Sequence, residues 1–250
     1  MADATAVDLA LFLGATFAAA LIAGVAGFAF GLVAAAVWLH VLTPLQTTTL
    51  IVAFGLIVQG YSVWKLRRAL KPERLLPFIL GGIIGLPVGV ELLRWASAEV
   101  LRIAIGVLLV LFSLYSLARP QFRRIEAGGR LADGGVGVLS GMLGGMTGLG
   151  GILPTIWCNI RGWPKDEQRA VFQPTGVAIF VGTALFLGGT GSITTDTIRL
   201  FVIGLPALLA GSWLGLRLYG ELNEAGFRRV VLILLLGSGL ALIAPLAVTS

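Results

Sequence analysis

The residues of this sequence that could do chemistry are amides and hydroxyls within long apolar stretches. Gln59, Thr147, Gln173 and Thr175 are neutral hydrogen-bonding side chains in runs that hold few other polar groups. Polar residues at membrane depth are costly and often functional, although each of them alone also suits a hydrogen bond between two helices. Amides and hydroxyls can donate to the oxygens of a compact anion. We therefore predict Gln59, Thr147, Gln173 and Thr175 as substrate-binding residues.

The sequence offers little for catalysis or metal binding. It has one histidine, one cysteine and no HExxH motif, and the acidic residues near its apolar runs, such as Glu91 and Asp196, lie at the ends of those runs. Nucleophilic catalysis and metal sites need clusters of such side chains. We therefore predict no cofactor and no metal, and we expect the protein not to be an enzyme.

A run of glycines, GMLGGMTGLGGILP at residues 141–154, interrupts one apolar stretch. A glycine in a helix interior costs about 0.5–1 kcal/mol relative to alanine. Glycine accepts a positive φ and leaves backbone N–H groups open to a ligand, so the run predicts a turn whose second arm, from about Leu149, presents a helix N-terminus to an anion. Close packing of helices is the alternative. The glycines predicted to bind substrate here are Gly144, Gly145, Gly148, Gly150 and Gly151.

A second interrupted stretch lies near the start of the chain. Leu9–Leu42 is 34 residues long, about 51 Å as a helix at about 1.5 Å per residue, against a bilayer core of roughly 30 Å. We predict a break at 24–31 and a second substrate-binding tip at Gly27 and Gly31. Glycines spaced four apart elsewhere, Gly85 with Gly89 and Gly211 with Gly215, are typical of helix packing.

The composition places these segments in a membrane. Hydrophobic residues are 57% of the 250, charged residues are 12%, and the mean hydropathy is +0.97. Several apolar runs match the roughly 20 residues that cross a bilayer. The sequence therefore predicts an all-α integral membrane protein, and tryptophans near the ends of its spans suggest interfacial anchors.

The two halves of the chain resemble each other. GLPVGVELLRWASAEVLRIAIGVLLVL from Gly85 aligns with GSWLGLRLYGELNEAGFRRVVLILLLG from Gly211, and AGVAGFAFGL from Ala23 aligns with SGMLGGMTGL from Ser140. Each half then reads as a glycine-broken helical hairpin followed by three transmembrane helices. The predicted boundaries are a first repeat at 1–119 (hairpin 9–42, spans 45–64, 75–94 and 98–118), a cytoplasmic linker at 120–130, and a second repeat at 131–250 (hairpin 133–160, spans 168–188, 197–219 and 227–246).

The basic residues predict how these elements are oriented. If each hairpin turns back within the membrane, both of its ends lie on the same side of the bilayer. All of the 18 basic residues except Arg94, Arg102 and Arg199 then face the cytoplasm, as the positive-inside rule prefers. Each half then crosses the membrane an odd number of times. The sequence therefore predicts two inverted repeats in a multi-pass protein of the inner or plasma membrane, with both termini outside. The basic loops explain the net charge of +6, so we predict no nucleic-acid partner.

The two-half chain and the glycine run at 141–155, which includes Pro154, resemble the sulfite exporter TauE/SafE family of membrane permeases. The resemblance implies export or import of small sulfur-containing anions, such as sulfite, sulfonates and thiosulfate. It also implies that the glycine turn is the family's signature. The first half departs from that pattern, since Phe28, Val33 and Ala34 stand where the second half has glycines.

These observations together predict a transporter of small anions. Inverted repeats with broken helices are typical of carriers that alternate access around a site near the bilayer midplane, here at the two hairpin tips, with sulfite or an organosulfonate as cargo. The alternatives are an anion channel and a non-transporting membrane scaffold whose glycines serve helix packing. The expected partners are the small anionic substrate, the lipid bilayer and possible further copies of the chain in a homo-oligomer.

Overall fold

The computed structural model describes residues 6–26, 29–66, 70, 72–118, 129–218 and 224–249. Every regular element in these ranges is a helix, which confirms the predicted all-α class. The ten helices are α1 (Ala6–Ala26), α2 (Phe30–Val41), α3 (Pro44–Leu66), α4 (Pro72–Trp95), α5 (Ala98–Ala118), α6 (Gly129–Thr147), α7 (Ile152–Ile160), α8 (Lys165–Gly189), α9 (Thr195–Leu218) and α10 (Glu224–Thr249).

Five of the described helices, α1, α4, α5, α8 and α9, are long and apolar enough to cross a membrane. Shorter apolar segments occupy α2, the first part of α3 (Pro44–Gly60) and the middle of α10 (Leu235–Ala244). Helix α1, predicted as a hairpin arm, is itself long enough to span. The protein is a multi-pass membrane protein.

Both predicted helix breaks are present. The first apolar stretch divides where α1 ends at Ala26 and α2 begins at Phe30, and the second divides where α6 ends at Thr147 and α7 begins at Ile152. The two arms pack against each other at each break. Of the residues predicted for the first tip, Gly27 lies outside the described residues and Gly31 lies within α2.

The chain divides into two compact units, each of which takes helices from both halves of the sequence. The first unit comprises residues 1–54, 96–120 and 194–250, and the second comprises residues 55–95 and 121–193. The boundary therefore passes through α3 between Phe54 and Gly55.

The first unit is held by glycine contacts and an aromatic cluster. Helix α1 packs along α9, where Gly24 lies so close that a Cβ on it would be 2.9 Å from Gly215 Cα. Helices α5 and α10 meet in the same way at Gly106 and Gly239. Five aromatic rings stack with centroids 5.0–6.2 Å apart, namely those of Phe12, Phe30, Trp38, Phe54 and Phe201. Trp38 is fully buried in this cluster, so the expectation that tryptophans serve as interfacial anchors is wrong for this residue.

The second unit is built on a longer glycine contact between α4 and α6. Gly85 and Gly89 of α4 face the backbone of Val138 and Met142, and Gly82 faces Gly141. A Cβ at Gly89 would lie 2.7 Å from Met142 C and 2.8 Å from Met142 Cα, so only glycine fits this approach. The packing role expected for Gly85 and Gly89, and for Gly211 and Gly215 in the first unit, is confirmed.

The described part of the first turn contains one residue in an unusual conformation. Ala29 has φ 78° and ψ 3°, in the left-handed region, and its carbonyl accepts from Val33 N–H at 3.1 Å at the start of α2. This region costs a residue with a Cβ roughly 1–2 kcal/mol. The turn therefore has a left-handed conformation as predicted, but here an alanine adopts it.

Replacing Ala29 with glycine is expected to stabilise the protein by about 1 kcal/mol, because glycine adopts this conformation without the Cβ penalty. The thermal unfolding midpoint in detergent should rise. The control is Ala10→Gly, at an exposed position inside α1, which should lower the midpoint because glycine costs about 1 kcal/mol in a helix interior. Equal effects of the two substitutions would contradict the assignment.

Candidate functional site

The turn between α6 and α7 is fixed by its own hydrogen bonds. Gly148 has φ 73°, and its N–H donates to Gly144 O at 2.8 Å. The Thr147 hydroxyl donates to Leu143 O at 2.7 Å and accepts from Leu149 N–H at 3.1 Å. A residue with a Cβ would be strained at Gly148. The positive φ predicted from the glycine run is therefore present, and Gly148 provides it.

Gly150 holds the two arms of this hairpin together. A Cβ at Gly150 would lie 2.8 Å from Ser140 O and 3.0 Å from Gly144 Cα. The Ser140 hydroxyl also donates to Gly150 O. The absent side chain at Gly150 is thus needed for packing inside the hairpin, whatever else the residue does.

Gly151, the next residue, has a different environment. It is half-buried, with φ −69° and ψ −13°, and no atom of the described residues lies within 4 Å of the place that its Cβ would take. It directly precedes α7, where no side chain caps the helix. The first N–H groups of a helix have no carbonyl partner within that helix and carry its positive dipole end. Ile152 N–H already donates to Leu149 O at 3.2 Å, and Pro154 has no N–H. In the first turn of α7 the N–H group of Leu153 is therefore the donor that remains for an anion beside the open space at Gly151.

Two further predicted residues lie in α8. Gln173, 4% exposed, precedes Pro174 within the helix. Proline has no N–H, so Ala170 O loses its usual partner four residues on. Thr175 is fully buried, and its hydroxyl donates to Val171 O at 2.8 Å. Amide, carbonyl and hydroxyl groups thus lie together in one turn of a transmembrane helix.

Gln59 of α3 reaches the same part of α8. Its Oε1 atom lies 3.1 Å from the position that a Cβ on Gly176 would occupy. Glycine at 176 therefore lets this side chain lie against the α8 backbone, three residues after Gln173. The structure thus brings Gln59 of α3 against the α8 turn that follows Gln173.

Helix α8 also contacts the hairpin. A Cβ at Gly144 would lie 2.5 Å from Ile179 Cγ2, and one at Gly150 would lie 3.1 Å from Ile179 Cδ1. Gly145 faces α4, where a Cβ would lie 2.7 Å from Leu86 O and 3.0 Å from Val90 N. The structure thus gives Gly144 and Gly145 packing contacts, and the substrate-binding role expected for them stays a prediction.

The hydroxyl protons of the predicted threonines are already in use. Thr147 and Thr175 each donate to the carbonyl four residues earlier. A hydroxyl has one proton, so donating to an anion would require either residue to give up that bond. The side-chain amide of Gln59 and the backbone N–H of Leu153 at the start of α7 are the better donors.

No charged residue occurs between Asp133 and Arg161, a segment that covers most of α6, the turn and all of α7. None occurs between Arg169 and Asp196 either, a segment that covers the rest of α8. Dipoles therefore provide the electrostatics of the hairpin tip. A site of this kind favours a compact anion through oriented N–H groups without a fixed countercharge.

Sequence reasoning missed the contacts at the other end of the hairpin. Asp133, 6% exposed in the first part of α6, accepts a hydrogen bond of 2.7 Å from Trp157 Nε1 of α7. Nearby, Arg74 pairs with Glu167 and lies over the Trp163 ring at 5.0 Å. These residues are up to 93 positions apart, and no local pattern marks the pairings.

The chain was compared with known proteins. No curated protein and no solved structure matches it. Residues 11–242 match the family model described as Sulfite exporter TauE/SafE. This match extends over nearly the whole chain, including both helix breaks and the glycine turn, and it agrees with the multi-pass helical structure. The chain therefore belongs to the sulfite exporter TauE/SafE family of membrane transporters.

Proposed function

We propose that the protein transports a small sulfur oxyanion, sulfite or an organosulfonate, across the membrane by alternating access. The observation that carries this proposal is the open space at Gly151, which adjoins the uncapped start of α7 at a hairpin tip without charged side chains. A compact oxyanion has several acceptor oxygens, and backbone N–H groups at a helix start are directed donors for them. A cation or a neutral solute would gain little from that arrangement.

The remaining binding groups are the two glutamines. Gln59 of α3 lies against α8 at Gly176, three residues after Gln173, and each amide has two N–H groups. Neutral donors contribute roughly 0.5–1.5 kcal/mol each. Several such bonds give a dissociation constant on the order of micromolar to millimolar, which suits a carrier that must release its cargo.

Alternating access is supported by the pairing of the helices. In the proposed repeat α1 corresponds to α6 and α4 corresponds to α9. Within the first unit α1 packs on α9, and within the second unit α6 packs on α4. Both contacts are made through glycines, and the glycines of one contact align with glycines of the other in the sequence repeat. Each hairpin thus packs on the second span of the other repeat. Inverted repeats that exchange contacts in this way suit a carrier, and we propose inverted repeats, with both termini outside.

The test is uptake by proteoliposomes containing the purified protein. We expect saturable uptake of sulfite or methanesulfonate, competition between the two, and no competition by methylammonium. A flux that does not saturate would indicate a channel. No flux of any anion would overturn the proposal in favour of a scaffold.

Gln173→Leu is expected to weaken anion binding about tenfold, or roughly 1.4 kcal/mol, because leucine keeps the volume but removes both donors. The affinity is compared per folded protein. Binding is measured by titration calorimetry with sulfite. The control is Gln46→Leu, which removes an amide whose Oε1 accepts from Thr43 N–H at 3.2 Å and should leave affinity unchanged. Equal affinities of the Gln173 variant and the parent would exclude this side chain from the site.

A further inference from the structure

Two fully buried threonine hydroxyls, those of Thr47 in α3 and Thr183 in α8, have no hydrogen-bond partner in the described residues. Six other threonine hydroxyls donate to the carbonyl four residues earlier: Thr16, Thr49, Thr147, Thr155, Thr175 and Thr190. Thr183 is fully buried, yet its Oγ1 has no hydrogen-bond partner in the described part of the chain. An unsatisfied buried hydroxyl is destabilising, and the usual bond to its own helix would relieve the cost. Thr183 therefore leaves a donor free inside the membrane.

Thr183 lies on the face of α8 that carries the predicted binding residue Gln173. Gln173, Gly176, Phe180 and Thr183 follow one another at spacings of three and four residues, which places them on one side of a helix. Gln59 of α3 lies against this face at Gly176. At about 1.5 Å per residue, Thr183 lies roughly 15 Å along the helix from Gln173. The two residues fall on either side of the centre of the span Glu167–Gly189.

A single aromatic ring separates the two polar positions. Phe180 is buried, and its ring lies over Gly55 of α3, where a Cβ would be 2.5 Å from Cε2 and 3.0 Å from Cζ. The missing side chain at Gly55 makes room for the ring between the two helices. Along this face of α8 the order is thus the amide of Gln173, Gly176, the ring of Phe180 and the hydroxyl of Thr183.

We propose that Thr183 is a second binding position for the transported oxyanion, beyond the ring of Phe180 from Gln59 and Gln173. This inference rests on the proposed function and adds a residue to the route of the same anion. The hydroxyl donates to an oxygen of the anion after Phe180 has rotated away. Because the hydroxyl does not donate to a carbonyl of its own helix, its proton is available for that contact.

The experiment compares Thr183→Val with Thr183→Ser in proteoliposomes, using sulfite and methanesulfonate as probes. Valine keeps the shape and removes the hydroxyl, and we expect the initial uptake rate to fall about tenfold, as for one lost hydrogen bond to a charged group. Serine should retain the rate within about twofold. The thermal midpoint of the valine variant should stay the same or rise, because the hydroxyl removed has no partner.

Thr16→Val is the matched control. Thr16 is also fully buried, but its hydroxyl donates to Phe12 O at 2.6 Å, so this variant should lose thermal stability and keep its uptake rate per folded protein. If Thr183→Val reduces the folded yield, Thr183→Ala provides a second variant without the hydroxyl, for which the same fall in rate is expected.

Three results would overturn the inference. The first is an uptake rate of Thr183→Val or Thr183→Ala equal to that of the parent. The second is a Thr183→Val variant whose uptake rate changes only in its dependence on the concentration of a driving cation such as Na⁺. That result would make Thr183 a cation ligand. The third is the absence of oxyanion uptake by the parent, which would overturn the proposed function as well. Normal uptake by both the parent and the valine variant, in contrast, would overturn only the role of Thr183.

Discussion

Gly85→Leu is expected to prevent folded protein from accumulating in the membrane. A Cβ at this position would lie 2.8 Å from Val138 C and 3.0 Å from Met142 N, and these backbone atoms cannot move independently of α6. Helices α4 and α6 would have to separate along the whole contact that also includes Gly81 and Gly89. Overpacking of a close-packed interior costs about 1–3 kcal/mol and occasionally more, and a leucine between two backbones belongs at the upper end.

The measurement is the yield of monodisperse protein after detergent extraction, together with its thermal midpoint. The matched control is Gly135→Leu, on the exposed side of α6, where no atom of the described residues lies within 4 Å of the added Cβ. That variant should accumulate normally, since leucine also favours the helix. A normal yield of Gly85→Leu would show that the two helices do not meet through their glycines.

Gly151→Leu is expected to abolish anion binding while leaving the fold intact. The backbone at Gly151 has φ −69°, which any residue adopts, and the space for a Cβ is open. A leucine there would fill the volume beside the start of α7 and its Leu153 N–H, which is where we place the anion. We expect affinity for sulfite to fall at least tenfold, or about 1.4 kcal/mol, with a smaller loss for Gly151→Ala.

The neighbouring glycine provides the comparison. Gly150→Ala would bring a Cβ to 2.8 Å from Ser140 O and 3.0 Å from Gly144 Cα. We expect this variant to lower the thermal midpoint, with a loss of about 1–3 kcal/mol in stability. Calorimetry with sulfite and thermal unfolding of the empty protein separate the two effects. Full affinity in a folded Gly151→Leu variant would place the anion elsewhere.

Several features of this protein follow from the sequence because they depend on local composition. Long apolar runs predict membrane helices, since about 20 residues span the hydrocarbon core. The excessive length of Leu9–Leu42 and the glycine density after Ser140 predict the two breaks, and both are present. The positive φ at Gly148 follows in the same way, because a turn inside an apolar run selects the residue without a Cβ.

Other features were decided by packing between segments distant in the sequence. Gly150 and Gly151 are the same residue type and neighbours in the sequence, but Gly150 is enclosed by Ser140 and Gly144 and Gly151 faces open space. Likewise, Thr147 and Thr183 are both threonines in apolar helices, yet the hydroxyl of one completes a turn and that of the other has no partner in the described residues. Residue type alone could not separate the members of these pairs.

The sequence by itself determined that this chain is helical, membrane-embedded, broken in two places and without a charged group at the second hairpin tip. The tertiary structure decided which glycines pack, which one borders open space, and that Ala29 and not a described glycine has the left-handed conformation in the first turn. It also paired Asp133 with Trp157 and each hairpin with a helix from the other half of the chain. The physical reason is that hydrophobic runs and backbone breaks are set by neighbours along the chain. Close approach and hydrogen-bond partners, in contrast, depend on which helix faces meet.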